Sequence, residues 1–294
     1  MDVKNKILVT GGTGMIGSYV VKNLLEKNYQ VVVLTRRKKI NKKNLNYFKG
    51  DISDMRTLSG LMKNVSVVIH LAACSDLTLP LPEFNKINIQ GTKNILDLAI
   101  KNGVKLIINT SSTVVFGGSP LVEKNEKTVF KNGVLDKYTE TKIKNLFLIN
   151  EYRNKNLNII NVYPTAVIDI NKKPKLNSQK IINLIWKITG GIPGGLMGLF
   201  GSGKRWINYV LVEDVSKGII LAMEKGRKNG DYILGGENIL IKDYLKKMAK
   251  IFKSYYFPIR FPSWMTKVIW KISLEDNRFS ILRAKKELNY FPKK

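Results

Sequence analysis

Short apolar runs alternate with longer amphipathic stretches through the first half of the chain. The apolar runs are continuous and rich in Val, Ile and Leu, which is typical of strands buried on both faces of a parallel sheet. The pattern predicts an α/β fold with a doubly wound parallel sheet. We predict strands over residues 7–10, 30–35, 65–71, 104–109 and 157–163, a short strand near Phe48, and helices over 18–27, 83–102 and 136–154.

The second half of the chain is less regular. Helices are predicted over 213–225 and 239–253, the first with acidic residues near the positive end of its dipole. Glycine-dense stretches at 190–195 and 198–203 predict a mobile loop near the ligand cleft. We expect a dinucleotide-binding domain over residues 1–165 and a smaller, interleaved substrate-binding lobe over 166–294.

Residues 262–272 carry apolar side chains at helical spacing among basic ones. Two interpretations are open. Packing within the small lobe is favoured, because an ordinary core-facing helix shows such a stripe. The alternative is a basic amphipathic helix that lies on a membrane surface or contacts a lipid-like substrate.

Gly11, Gly14 and Gly17 stand between the first strand and the first helix, with the spacing G-x-x-G-x-x-G. Glycine in such a turn adopts backbone angles that other residues avoid, and it lets a pyrophosphate approach the amides at the helix start. A sharp strand-to-helix turn needs similar glycines, so the spacing alone is a weak signal. The strand before it, the helix after it and the second buried strand favour a dinucleotide site.

The second strand ends in Arg36 and Arg37, where NAD-selective enzymes commonly carry Asp or Glu. A guanidinium binds a 2′-phosphate through paired hydrogen bonds, whereas a carboxylate repels it. We therefore expect NADP in preference to NAD, with a solvated basic loop as the alternative in so lysine-rich a chain. Asp51, after the next strand, is a candidate acceptor for the adenine amino group, and Ser53 or Asp54 is a candidate helix cap.

Tyr138 and Lys142 are four residues apart, so on a helix they project from the same face. A free tyrosine has a pKa of about 10, and a nearby ammonium favours the phenolate and lowers that pKa. Ser112 follows a predicted strand and can donate a hydrogen bond to a substrate oxygen. Together these groups can move a proton on or off an alcohol or carbonyl while a nicotinamide exchanges hydride at the adjacent carbon.

The chain has 294 residues and a net charge of +28. Its lysines are dispersed, with no basic stripe interleaved with stacking aromatics, so no specific nucleic-acid partner is expected. No apolar run reaches about 18 residues, so no membrane span is predicted. The single cysteine, Cys74, favours a reducing cytoplasm, and one His with one Cys predicts no metal site. We interpret His70, the only histidine, as a structural residue at a strand end.

These motifs together resemble those of the extended short-chain dehydrogenase/reductases, the NAD-dependent epimerase/dehydratase superfamily, over essentially the whole chain. The resemblance is carried by residues 10–17, Asp51 and Ile52, 70–73, 88–92, Ser111 and Ser112, and Tyr138 with Lys142. It implies a Rossmann fold, a small-molecule carbonyl or sugar substrate and a homodimer. It also implies that Ser112, Tyr138 and Lys142 are catalytic. The expected cofactor-binding residues are Gly11, Thr13, Gly14, Met15, Ile16, Gly17, Arg36, Arg37, Asp51, Ile52, Leu71, Ala72, Ala73, Asn88, Tyr138, Lys142, Pro164 and Thr165.

Two groups of the superfamily are the most similar: dihydroflavonol reductase-like proteins and hopanoid-associated sugar epimerases. That similarity lies in residues 80–84, 230–238 and 284–292, and it leads us to expect a complete chain. Dehydratases of the superfamily carry an Asp-Glu pair after the catalytic serine or threonine. This chain has Thr113-Val114-Val115 there, so dehydration is not expected.

Sugar-nucleotide epimerases of the superfamily usually carry an Arg that clamps the substrate diphosphate, where this chain has Ile207. Arg205 and Lys204 are candidate substitutes. We therefore expect an NADP-dependent oxidoreductase that acts on a ketone or secondary alcohol. The alternatives are a sugar epimerase that recycles its bound cofactor and a non-catalytic NADP-binding protein.

Overall fold

The computed structural model describes residues 6–117, 122–130, 136–171, 197–200, 205–251, 256–261 and 276–293. The glycine-dense stretch 190–195, residues 201–203 and the apolar stripe at 262–272 lie outside the described residues.

Within these residues, seven parallel strands form the central sheet in the order β10-β6-β5-β4-β1-β2-β3. The predicted doubly wound sheet is thereby confirmed. The strands are β1 Lys6–Thr10, β2 Gln30–Thr35, β3 Leu45–Lys49, β4 Val65–His70, β5 Leu106–Thr110, β6 Ile159–Pro164 and β10 Asp231–Leu234.

Helices of the described chain connect these strands and cover the sheet. They are α1 Met15–Glu26, α2 Leu81–Phe84, α3 Gly91–Lys101, α4 Lys137–Asn154, α5 Val212–Lys225, α6 Ile241–Ile251 and α7 Leu282–Leu288. A wide turn with π-type hydrogen bonding, Asn85–Gln90, joins α2 to α3 without a break. The sequence predicted one uniform helix here, because apolar spacing does not reveal a single wide turn.

Alternate residues of each strand pack on opposite faces of the sheet. Ile7 and Val9 join the cluster that contains Val20 of α1 and Ile219 of α5, whereas Leu8 joins the cluster that contains Ile95 of α3. All six side chains are fully buried. Each contributes about 1.5–3 kcal/mol relative to an exposed position, which explains why the strands are apolar throughout.

A second sheet consists of β11 Glu237–Leu240, β9 Trp206–Leu211 and β7 Ala166–Ile168 in that order, and β8 Met197–Phe200 pairs with β12 Tyr256–Phe261. Two predictions change here. Ile239 and Leu240 belong to a strand and not to the following helix, because they pair with β9. Gly198 lies in β8 and not in a loop.

The strand order reverses at β1, since β2 and β3 extend to one side and β4, β5 and β6 to the other. Ligands of such sheets bind at the carboxyl ends of the strands at this switch point. Edge strand β10 comes from the second half of the chain and pairs with β6.

In the described part of the chain, no helix is both long and apolar enough to span a bilayer.

Candidate active site

The glycine turn lies at the carboxyl end of β1, at the switch point. Gly11 has a φ of +69°, and a Cβ there would lie 2.8 Å from the backbone nitrogen of Ala72. At Gly17 a Cβ would lie 2.2 Å from the carbonyl oxygen of Gly11. The first glycine therefore lets β1 and the end of β4 approach each other, and the third lets α1 pack against the turn.

The start of α1 fits a dinucleotide pyrophosphate. Thr13, Gly14 and Met15 are exposed, and no side chain caps the helix at Gly14. No acidic residue lies in the first turn. An uncapped positive dipole with no acidic neighbour is what a pyrophosphate binds, so these residues fit the cofactor that the motif implies.

The end of β4 is joined to this turn through His70. The Thr10 hydroxyl lies 2.7 Å from Nδ1 of His70, and Nε2 lies 3.1 Å from the Thr92 hydroxyl. The amides of Leu71 and Ala72 both donate to the Thr10 hydroxyl, at 3.2 Å. The interpretation of His70 as a buried structural residue is confirmed, since its side chain is enclosed and both ring nitrogens have partners.

Ser112, Tyr138 and Lys142 come together at the same edge of the sheet. Nζ of Lys142 donates to the carbonyl of Thr110, the last residue of β5, at 3.0 Å, and lies 5.7 Å from the centroid of the Tyr138 ring. The Ser112 side chain lies close enough to the Tyr138 phenol to lower its pKa. Ser112 also caps the short helical turn Thr113–Phe116 by accepting from the Val114 amide.

The phenol differs from the expectation in the direction of its pKa. Burial raises the pKa of Tyr138 above its ordinary value, and this outweighs the lowering by Ser112, while Asp136 raises it further. Burial also lowers the pKa of Lys142 to about 8. The predicted net lowering by Lys142 is therefore wrong for the structure as it stands, because enclosure penalises the charged form of both groups.

The side-chain amide of Asn88 forms hydrogen bonds to other groups of the protein. Its Oδ1 accepts from the Cys74 amide at 2.7 Å, and its Nδ2 donates to the Cys74 carbonyl at 3.1 Å. These bonds hold the loop after Leu71, Ala72 and Ala73 against the wide turn.

Most of the other predicted cofactor residues follow the carboxyl ends of their strands, whereas Ile16 lies in α1. Arg36 and Arg37 are exposed after β2. Asp51 accepts from the Ser53 amide and hydroxyl at 2.9 and 2.8 Å, and Asp54 is the helix cap. Ile52 is buried, Ile16 is partly buried, and Pro164 and Thr165 are buried at the end of β6.

Sequence reasoning missed Lys124. Its ammonium is buried, donates to the Gly117 carbonyl at 2.6 Å and to Oδ1 of Asn277 at 3.2 Å, and lies 4.8 Å from the centroid of the Phe279 ring. It thus ties the segment after the Ser112 turn to the carboxyl-terminal part of the chain. One lysine among many carries no signal for this role in the sequence.

We expect acid stability to depend on His70. Burial, with a smaller contribution from Lys142, lowers its pKa from 6.5 to about 3. Below about pH 6.5 the imidazole of the unfolded chain binds a proton, whereas that of the folded chain stays neutral. The contribution of His70 to the free energy of unfolding is therefore complete above about pH 6.5 and declines as the pH falls towards about 3. The decline is about 1.4 kcal/mol per pH unit, or about 2 kcal/mol at pH 5. Urea unfolding of wild type and His70→Gln at several pH values measures it, and parallel pH profiles would contradict it.

Comparison with known proteins agrees with this geometry. The model of the NAD dependent epimerase/dehydratase family matches residues 7–235. A sterol-4-alpha-carboxylate 3-dehydrogenase (decarboxylating) of Mus musculus is 28% identical over 79% of this chain. The chain spans 62% of the length of that relative. A dihydroflavonol 4-reductase-like protein of Synechocystis sp. is 30% identical over 83% of this chain and 71% of the relative.

A solved structure extends the likeness to nearly the whole chain. The UDP-glucose 4-epimerase of Thermotoga maritima superposes with a TM-score of 0.80 at 24% identity, covering 98% of this chain and 94% of that one. That likeness shows the fold. The matched family comprises NAD(P)-dependent dehydrogenases, epimerases and dehydratases. From its family-model match and its relatives, the chain belongs to the NAD-dependent epimerase/dehydratase family, the extended short-chain dehydrogenase/reductases.

Proposed function

We propose that the protein is an NADP-dependent oxidoreductase that transfers hydride between the nicotinamide and a ketone or secondary alcohol. The observation that carries this proposal is the grouping of a phenol, an ammonium and a hydroxyl at the sheet edge that also bears the glycine turn. The cofactor, when bound, supplies the hydride donor or acceptor.

Three side chains of the protein have separate roles in the proton transfer. Burial keeps the Tyr138 phenol protonated at neutral pH, and a protonated phenol is the acid that a ketone oxygen needs during reduction. Ser112 orients that oxygen through its hydroxyl. Lys142 is still largely charged at neutral pH and favours the phenolate as the proton leaves.

The surroundings of Ser112 favour a substrate without a nucleotide. Thr113 and Val115 are buried, and the side chain that emerges beside Ser112 is Val114. Ile207 is buried in β9, where an arginine would be needed to hold a diphosphate, and Arg205 is exposed just before that strand. Lys204 lies outside the described residues. An apolar hydroxy or keto compound fits this environment, and the similarity to a sterol dehydrogenase supports the same class.

Incubation with NADPH and a panel of apolar ketones, hydroxysteroids and nucleotide sugars tests the proposal. We expect net consumption of NADPH with a ketone, and reduction of NADP with the matching alcohol. Interconversion of two sugars without net cofactor consumption would instead establish an epimerase. No response of bound NADPH fluorescence to any substrate would favour a non-catalytic protein.

We place the activity in the cytoplasm, which suits the single Cys74.

The preference for NADP is expected to reside in Arg36 and Arg37. Replacing both by Ser should raise the Kd for NADP by about 10–100-fold, because a charge-assisted hydrogen bond contributes about 1.5–3 kcal/mol. The Kd for NAD should not change. Lys22→Ser, an exposed charge on α1, is the matched control. Equal Kd values for NAD and NADP in the wild-type protein would remove the claim.

A further inference from the structure

We propose that His70 is a positioning residue, a neutral imidazole strut that holds the catalytic helix α4 in place relative to the glycine turn. The inference rests on the proposed function, since it concerns the same site. It is argued from a continuous path of hydrogen bonds that begins at Thr10, before Gly11, and ends at the carbonyl of Tyr138.

The direction of each bond along the first half of the path follows from one carbonyl. The Thr92 hydroxyl donates to the carbonyl of Asn88 at 2.6 Å, and a carbonyl only accepts. The Thr92 oxygen must therefore accept from Nε2–H of His70, 3.1 Å away. This assigns the proton of the neutral ring to Nε2 and leaves Nδ1 as an acceptor.

Thr10 completes the assignment. Its oxygen accepts from the amides of Leu71 and Ala72, so both of its lone pairs are used. Its own proton is then donated to Nδ1 of His70 at 2.7 Å. An imidazolium would place a second N–H against this saturated oxygen, and the charge of Lys142 also opposes it. The ring is thus held in one tautomer by both threonines.

The path continues from Asn88 to the catalytic helix. Nδ2 of Asn88 donates to the Thr141 hydroxyl at 3.0 Å, and Thr141 donates to the carbonyl of Tyr138 at 3.0 Å. Asn145, also on α4, donates to the Asn88 carbonyl at 2.9 Å. Because Asn88 lies in the wide turn, its carbonyl meets side chains from both α3 and α4.

The linking side chains are all buried: Thr10, His70, Asn88, Thr92 and Thr141 have exposed fractions of 0, 4, 1, 2 and 0%. Water therefore does not replace a lost bond, and a donor left without a partner costs about 1–3 kcal/mol. A path of this kind has one low-energy arrangement, so the ends of β1 and β4 and the start of α4 keep a fixed separation. Reaction geometry is sensitive to displacements of about 1 Å, which gives the separation a kinetic consequence.

The test compares Thr92→Val with Thr92→Ser. Valine has nearly the shape of threonine but no hydroxyl, whereas serine keeps the hydroxyl and is the matched control. We expect Thr92→Val to lower kcat by about 10–100-fold while the cofactor Kd is unchanged, and Thr92→Ser to restore kcat. Activity is measured under conditions in which circular dichroism shows both variants to be fully folded. A lower kcat then does not result from unfolded protein.

A spectroscopic measurement is independent of turnover. His70 is the only histidine, so nitrogen NMR of labelled imidazole reports this ring alone. At pH 7 we expect a proton on Nε2 and a bare Nδ1 in wild type and in Thr92→Ser. In Thr92→Val we expect faster exchange of the Nε2 proton with solvent.

The outcomes separate the two proposals. A ring protonated on Nδ1 at pH 7 would overturn the strut whatever the protein catalyses. Wild-type kcat in folded Thr92→Val would overturn the strut and leave the proposed oxidoreductase intact. Failure of the wild-type protein to bind NADP or NAD would remove the proposed function and the positioning role with it.

Discussion

Replacing Tyr138 by Phe is expected to lower kcat by about 10²–10⁴-fold, the usual contribution of a general acid. The change removes one oxygen from a partly buried ring and leaves the glycine turn untouched, so the cofactor Kd should stay at its wild-type value. The favourable interaction of the phenol with Ser112 is lost as well. Steady-state reduction with saturating NADPH, together with a fluorescence titration of the cofactor, measures both quantities.

Tyr152→Phe is the matched control on the same helix. Its ring is buried and its hydroxyl donates to Asp97, at the end of α4 away from the site. This variant should lose some stability and keep its kcat. Retained turnover in Tyr138→Phe, or an equal loss in both variants, would refute the assignment of Tyr138 as the proton donor.

Gly17→Ala is expected to damage cofactor binding more than any other single methyl group at the turn. Its Cβ would lie 2.2 Å from the Gly11 carbonyl oxygen and 2.7 Å from Cα of Gly12, so the backbone of the turn has to move. Overpacking of this kind costs about 1–3 kcal/mol, which corresponds to a Kd about 10–100-fold higher if the displacement falls on the pyrophosphate site. Isothermal titration with NADP and NAD measures the change.

Gly103→Ala separates the local effect from a general loss of stability. Gly103 has a φ of +64° with no atom within 4 Å of the added Cβ, and it precedes β5 at the opposite edge of the sheet. Left-handed strain should cost about 1–2 kcal/mol of stability there without changing the cofactor Kd. An unchanged Kd in Gly17→Ala would contradict the proposed pyrophosphate site.

Much of the fold was predictable because its signals are local. Continuous apolar strands such as Gln30–Thr35 must be buried on both faces, and a glycine turn before an amphipathic helix has few structural solutions. The boundaries were less predictable. Ile239 pairs with β9 and so joins a strand, although its sequence neighbourhood is helical. The strand with which Ile239 pairs lies elsewhere in the sequence, so the pairing produces no periodic pattern around Ile239.

The candidate site was likewise predictable only in part from the sequence. Tyr138 and Lys142 share one helical turn, so their proximity follows from spacing alone. The direction of the Tyr138 pKa does not, because it depends on how deeply the folded chain encloses the phenol. Whether these residues catalyse the proposed reaction stays a prediction until the variants are measured.

By itself, the sequence determined the doubly wound sheet, the glycine turn and the shared helix face of Tyr138 and Lys142, because periodicity and short-range spacing are properties of neighbouring residues. Only the tertiary structure decided that His70 is a neutral strut, that Lys124 braces the Ser112 turn and that burial raises the phenol pKa. Each of these depends on hydrogen bonds or desolvation between segments distant along the chain, which form only when the chain packs.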